Sequence, residues 1–124
     1  METLCKIREI SRSLAEFETR FEKVHHLNLN EGMLLCSLTK SDDLASGEIA
    51  LLLGLTTSNT SKVIKSVETK GLIRRVMGKQ DKRQMYFSLT NEGLARMTAI
   101  KTIPVELPAL LATTIGNGEA ESAR

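Results

Sequence analysis

The spacing of apolar residues changes along this chain, and each change predicts an element. Between residues 3 and 26, Ile7, Ile10, Leu14, Phe17, Phe21 and Val24 recur at alternating intervals of three and four. That narrow seam predicts one long helix of the coiled-coil type, with charged side chains on its other faces. A second helix is expected from Asn28, which caps it with Glu31 three residues on, and Leu34, Leu35 and Leu38 face inward. The Ser- and Asp-rich stretch from Thr39 to Asp43 reads as a loop. Ile49, Leu52 and Leu53 then fall at helical spacing, and Gly54 stands where a helix stops. Ser46 is one candidate cap for that helix. Thr56 caps the next, in which Thr60, Val63, Ile64 and Val67 form the buried face.

Beyond Gly71 the pattern shifts to strands. Leu72–Met77 and Gln84–Leu89 are strand-like, and Met85, Phe87 and Leu89 alternate with Gln84, Tyr86 and Ser88. The connecting Gly78–Arg83 concentrates charge at a hairpin tip. Thr90 caps a helix carrying Leu94, Met97 and Ile100, expected to end near Thr102 ahead of Pro104 and Pro108. A short last helix is expected from Pro104 or Val105 to Ile115, packing back on the first. Residues 116–124 are polar and Gly-containing, and the expectation there is disorder. The fold predicted is mainly α with a small β-hairpin wing (α+β): a winged helix-turn-helix over 28–90, flanked by N- and C-terminal dimerisation helices at 1–26 and 91–115.

The helix after Thr56 turns a short, polar, basic face outward: Thr57, Ser58, Asn59, Ser61, Lys62 and Lys65. Its N-terminus suits phosphate, and small hydroxyl and amide side chains suit base edges in a major groove. Between Lys62 and Arg83 there are eight Lys and Arg against two acidic residues, Glu68 and Asp81, a local balance of +6. The whole chain carries +2, so the remainder sums to −4. An asymmetry of this kind marks a nucleic-acid face. The 3% aromatic content, with no Trp, argues against stacking platforms for single strands.

Several motifs in this region resemble the multiple antibiotic resistance regulator (MarR) family. They are Gly47-Glu48-Ile49-Ala50, Leu53-Gly54-Leu55, Val67-Glu68-Thr69-Lys70-Gly71-Leu72-Ile73, Asp81-Lys82-Arg83 and Leu89-Thr90-Asn91-Glu92-Gly93. The Asp-x-Arg pattern followed by Leu-Thr-x-x-Gly is the most specific, and the resemblance runs from about Leu27 to Met97. It implies a homodimeric regulator of double-stranded DNA, with Arg83 reading a minor groove and Asp81 orienting it. It implies a short extra strand at Leu44-Ala45 and a small aromatic ligand as effector. The family's C-terminal helices are usually longer than the one expected here. From the residues, Ser58, Asn59, Ser61 and Lys62 are expected at bases or phosphates, Thr57 and Lys65 at the backbone, and Lys79 and Lys82 add phosphate attraction.

The seam of the first helix has two readings, the chain's own core or a second copy. Helix-turn-helix proteins usually read two half-sites about a two-fold axis, which favours a dimer. Its expected interface is Ile7, Ile10, Leu14, Phe17 and Phe21 with Leu107, Leu110 and Leu111. Adjacent His25 and His26 lack a ligand cluster and read as a helix end, so no metal and no cofactor are expected. Cys36 reads as a core thiol; Cys5, beside Lys6 and Arg8, is a candidate oxidant sensor. No phosphate loop, nucleophile elbow or metal-ligand pattern points to an enzyme. No run is long and apolar enough for a membrane span, and a cytoplasmic protein is expected. The reading is a transcription regulator acting on a palindromic operator. Its alternatives are an oxidant-sensing regulator and a protein-docking winged helix that does not bind DNA.

Overall fold

Local caps set most of the element ends. In this computed structural model, which describes residues 2–41 and 43–115, the order is α1 (Glu2–His25), α2 (Leu29–Lys40), β1 (Leu44–Ala45), α3 (Ser46–Leu53), α4 (Thr57–Thr69), β2 (Ile73–Met77), β3 (Met85–Leu89), α5 (Asn91–Thr102) and α6 (Ala109–Ile115). Asn28 and Glu31 make the reciprocal capping box, each side chain 2.8 Å from the other's backbone N–H. Thr56 accepts from the Asn59 N–H at 3.1 Å, and Thr90 from the Gly93 N–H at 3.0 Å. Gly54 ends α3 in the left-handed conformation (φ 67°), which a side chain would strain.

The chain divides into two units, 1–26 with 104–124 and 27–103. In the described part of the first, α1 and α6 pack together, with Phe21 and Leu111 buried. The Phe21 and His25 rings lie 4.9 Å apart, and His26 closes the helix at φ 57°. Arg20 donates to the Glu106 carbonyl at 3.0 Å and to Glu16 at 3.2 Å. Toward the N-terminal end of α1, Leu4, Ile7, Ile10 and Leu14 are exposed at 66%, 54%, 41% and 46%. Phe17, Leu107 and Leu110 are half-buried. The last helix is shorter than expected, because residues 104–108 have no helical structure. Pro108 disfavours the α conformation at Leu107, and α6 begins only where the Pro108 carbonyl accepts from Ala112. The disorder expected for 116–124 lies outside the described residues.

In the second unit, Leu27, Leu34, Leu35, Ile49, Ile64 and Val67 form the centre of the core. The sheet has the order β1-β3-β2, all antiparallel. Leu44 pairs with Phe87, so the two-residue strand expected from the family resemblance is present. Arg75 also pairs with Phe87, on the other side of β3. In α3 Ile49 is buried, Leu53 half-buried and Leu52 60% exposed. One local expectation changes, the cap of this helix. Ser46 lies inside α3; Ala45 occupies the cap, and Glu48 accepts its N–H at 2.9 Å. The Leu-Thr-x-x-Gly motif has a packing reason. Thr90 donates to the Gly71 carbonyl at 2.7 Å, and a Cβ on Gly93 would run into the Leu72 carbonyl.

Candidate nucleic-acid interface

Helix α4 separates its faces as the pattern predicts. Thr60, Val63, Ile64 and Val67 are buried, while Thr57, Ser58, Asn59, Ser61, Lys62 and Lys65 are exposed. The helix begins under Thr56, whose hydroxyl holds the Asn59 N–H and whose carbonyl accepts from the buried Thr60 hydroxyl at 2.7 Å. That second bond removes the cost of burying a hydroxyl on the inner face. The outer face is left with small polar groups on its first turn and lysines behind them.

The wing tip is closed by two backbone bonds, Gly78 N–H to the Gln84 carbonyl at 2.8 Å and Gln84 N–H to the Asp81 carbonyl at 3.0 Å. Asp81 Oδ1 accepts from the Arg83 backbone N–H at 3.0 Å and from its Nε at 3.3 Å. The Arg83 side chain is 92% exposed. Its Nε edge is therefore directed by a neighbouring carboxylate while the guanidinium stands in solvent. Lys79 and Lys82 are exposed beside it.

Two other cations of the basic stretch, although exposed, are engaged by carboxylates of the fold. Lys70 Nζ lies 2.9 and 3.0 Å from the two oxygens of Glu31, a buried residue of α2. Ser66 donates to the same carboxylate at 2.6 Å. Burial by itself would raise the Glu31 pKa. The Ser66 hydroxyl, the Asn28 N–H and Lys70 together outweigh it and hold the carboxyl below its ordinary value. Arg75 is bound to Glu68 of α4, Nε at 2.9 Å and Nη2 at 3.3 Å, with its guanidinium 5.3 Å from the Phe87 ring centre. The sequence shows the Asn28–Glu31 cap, because its partners are three residues apart. The contacts of Glu31 with Ser66 and Lys70 span 35 and 39 residues and leave no local signal.

A groove of about 500 Å³ lies between the wing and the start of α3, lined by residues that include Asp43, Glu48, Met77, Lys79, Asp81 and Tyr86. Cys5 is exposed and Cys36 half-buried. Among the described residues, no helix is long and apolar enough to cross a membrane.

Helix, turn, second helix with a polar outer face, and a three-stranded wing define a winged helix-turn-helix. Residues 27–85, most of this winged-helix segment, match the MarR family model. The chain is 29% identical over 86 residues to an uncharacterized HTH-type transcriptional regulator, YwaE of Bacillus subtilis. That match covers 69% of this chain, which spans half the length of the relative. A MepR mutant from a multidrug-resistant S. aureus clinical isolate is 26% identical, with a TM-score of 0.68 over 94% of this chain and 86% of that one. Another S. aureus MepR mutant, solved bound to an oligodeoxyribonucleotide, is 25% identical, with a TM-score of 0.65 over 98% of this chain and 89% of that one.

Proposed function

We propose that this chain is a cytoplasmic, sequence-specific regulator of transcription that binds double-stranded DNA as a homodimer. The observation that carries the reading is the exposed face of α4 together with the 92% exposed Arg83 of the wing. Ser58, Asn59, Ser61 and Lys62 take bases or phosphates of a major groove, with Thr57 and Lys65 on the backbone. Arg83, oriented by Asp81, enters the adjacent minor groove, where a narrow A·T tract concentrates negative potential. Lys79 and Lys82 add phosphate attraction. The family match and the oligodeoxyribonucleotide bound by the MepR relative support the same reading.

The dimer rests on the apolar stripe of α1. Leu4, Ile7, Ile10 and Leu14 are all exposed in the single chain, and a contiguous apolar patch of this kind marks an association surface. Phe17, Leu107 and Leu110 are half-buried and extend the proposed interface, and Phe21 and Leu111 lie buried behind it. Two copies then read an imperfect palindrome with half-site centres about one helical turn, ~10 bp, apart. Release by a small aromatic ligand rests on family likeness alone, and a thermal-shift screen with phenolic compounds tests it.

Selection from a random duplex library at moderate salt, followed by sequencing, tests the main reading. A palindrome with that spacing is the expected result. Recovery of no motif, with weak binding abolished by salt, would leave only unspecific phosphate attraction and overturn it. Ile10→Glu places a charge in the apolar stripe and is expected to give a monomer in sedimentation. A variant that remains dimeric moves the interface elsewhere.

A further inference from the structure

Arg75 belongs to the basic stretch, yet its guanidinium is already engaged. Nε and Nη2 both donate to Glu68, at 2.9 and 3.3 Å. This is the edge with which an arginine grips a phosphate in a bidentate way. The same guanidinium lies 5.3 Å from the centre of the Phe87 ring, and Phe87 is buried in the middle strand of the sheet. One side chain on β2 thus joins α4 to β3. Glu68 has its own peculiarity. Ser58, Ser61, Lys65 and Glu68 follow one another at helical spacing, so a carboxylate ends the outward stripe of α4. Left alone there, it would repel a phosphate.

We propose that Arg75 is a positioning residue: with Glu68 and Phe87 it braces the wing against the recognition helix and so sets where Arg83 reaches, without holding a phosphate itself. The proposal rests on the DNA-binding reading above. Its geometric basis is that the angle of the β2–β3 hairpin is set at its base, where β2 follows α4 after a short turn. A brace at Arg75 makes the distant tip part of the same rigid surface as α4. An exposed ion pair alone would contribute little, but a two-point contact with a cation–π contact beside it is held more firmly.

The test uses the full chain and the duplex recovered by selection, with affinity measured across a range of salt concentrations. Glu68→Gln separates the readings by sign. If Glu68 were only a repulsive charge, its removal would strengthen binding, and a released Arg75 would steepen the salt dependence. The brace predicts the reverse, a loss of about five- to tenfold with unchanged salt slope, the scale of one charge-assisted hydrogen bond. Arg75→Lys keeps the charge but loses the fork, and is expected to show a similar loss. Combining Arg75→Lys with Arg83→Ala should cost less than the product of the two single losses, because both act through the tip. Circular dichroism and thermal midpoints confirm that each variant is folded. Stronger binding by Glu68→Gln, or strict multiplicativity in the double variant, overturns the brace. Lys65→Ala and Arg83→Ala are the controls. If both bind as the unmodified chain does, the DNA-binding reading itself has failed, and the brace with it.

Discussion

Glu31 and Asp81 each pair with a cation of the same winged helix, yet their surroundings give the pairs different roles. The Glu31 side chain is 3% exposed and Lys70 37%; Asp81 is 43% exposed and Arg83 92%. At the base of α4 the carboxylate is enclosed by Ser66, the Asn28 N–H and Lys70, and it ties α2 to the end of that helix. At the wing tip the carboxylate accepts from its near neighbour in sequence, two residues on. A buried acceptor with several donors is costly to remove, because the half-buried Ser66 hydroxyl and Asn28 N–H lose their acceptor together. An exposed pair contributes little to stability, since water replaces either partner. Similar chemistry therefore secures the fold in one place and presents a side chain in the other.

The largest test of this contrast is Glu31→Ala. It should lower the free energy of unfolding by about 2–3 kcal/mol, because charged hydrogen bonds from Ser66, Lys70 and the Asn28 N–H are lost together. Urea unfolding measures it, and a change no bigger than that of Asp81→Ala would erase the distinction. Arg83→Ala should do the opposite: DNA affinity falls by about 1–3 kcal/mol while stability stays within ~0.5 kcal/mol. Equal affinity in a binding titration would remove the wing tip from the interface.

A smaller effect appears in acid. The folded-state pKa of Glu31 is lowered, so its stabilisation is fully present above the ordinary glutamate value of 4.5 and is lost as pH falls through the folded value. Unfolding midpoints followed below pH 5 should decline less steeply in Glu31→Gln than in the unmodified chain. Identical slopes would mean that the pair does not favour the charged carboxylate. The smallest expected change is that of Lys79→Ala, which should weaken binding evenly across sequences and reduce the salt slope by about one. Loss of preference at one base pair would instead make Lys79 a reader of sequence.

Much of this molecule was legible where a signal and its consequence lie within one turn or one strand. Asn28, Thr56 and Thr90 act on N–H groups three residues away, and the period of Thr60, Val63, Ile64 and Val67 separates the two faces of α4. Alternation in β3 gave the hairpin. Where local signals competed, the reading slipped. Ser46 is a good cap by type, but the register of Ala45 with Tyr86 puts the cap one residue earlier.

By itself, then, the sequence determined which segments become helix and strand, which face of α4 is polar, and that basic residues gather from α4 to the wing. Those properties depend on backbone capping, side-chain period and charge, all carried by near neighbours. Only the tertiary structure decided what the individual cations do. Lys70 goes to Glu31 and Arg75 to Glu68 and Phe87, while Arg83 stands in solvent beside Asp81. An ion pair needs two groups within about 4 Å, and folding, not order along the chain, sets that distance.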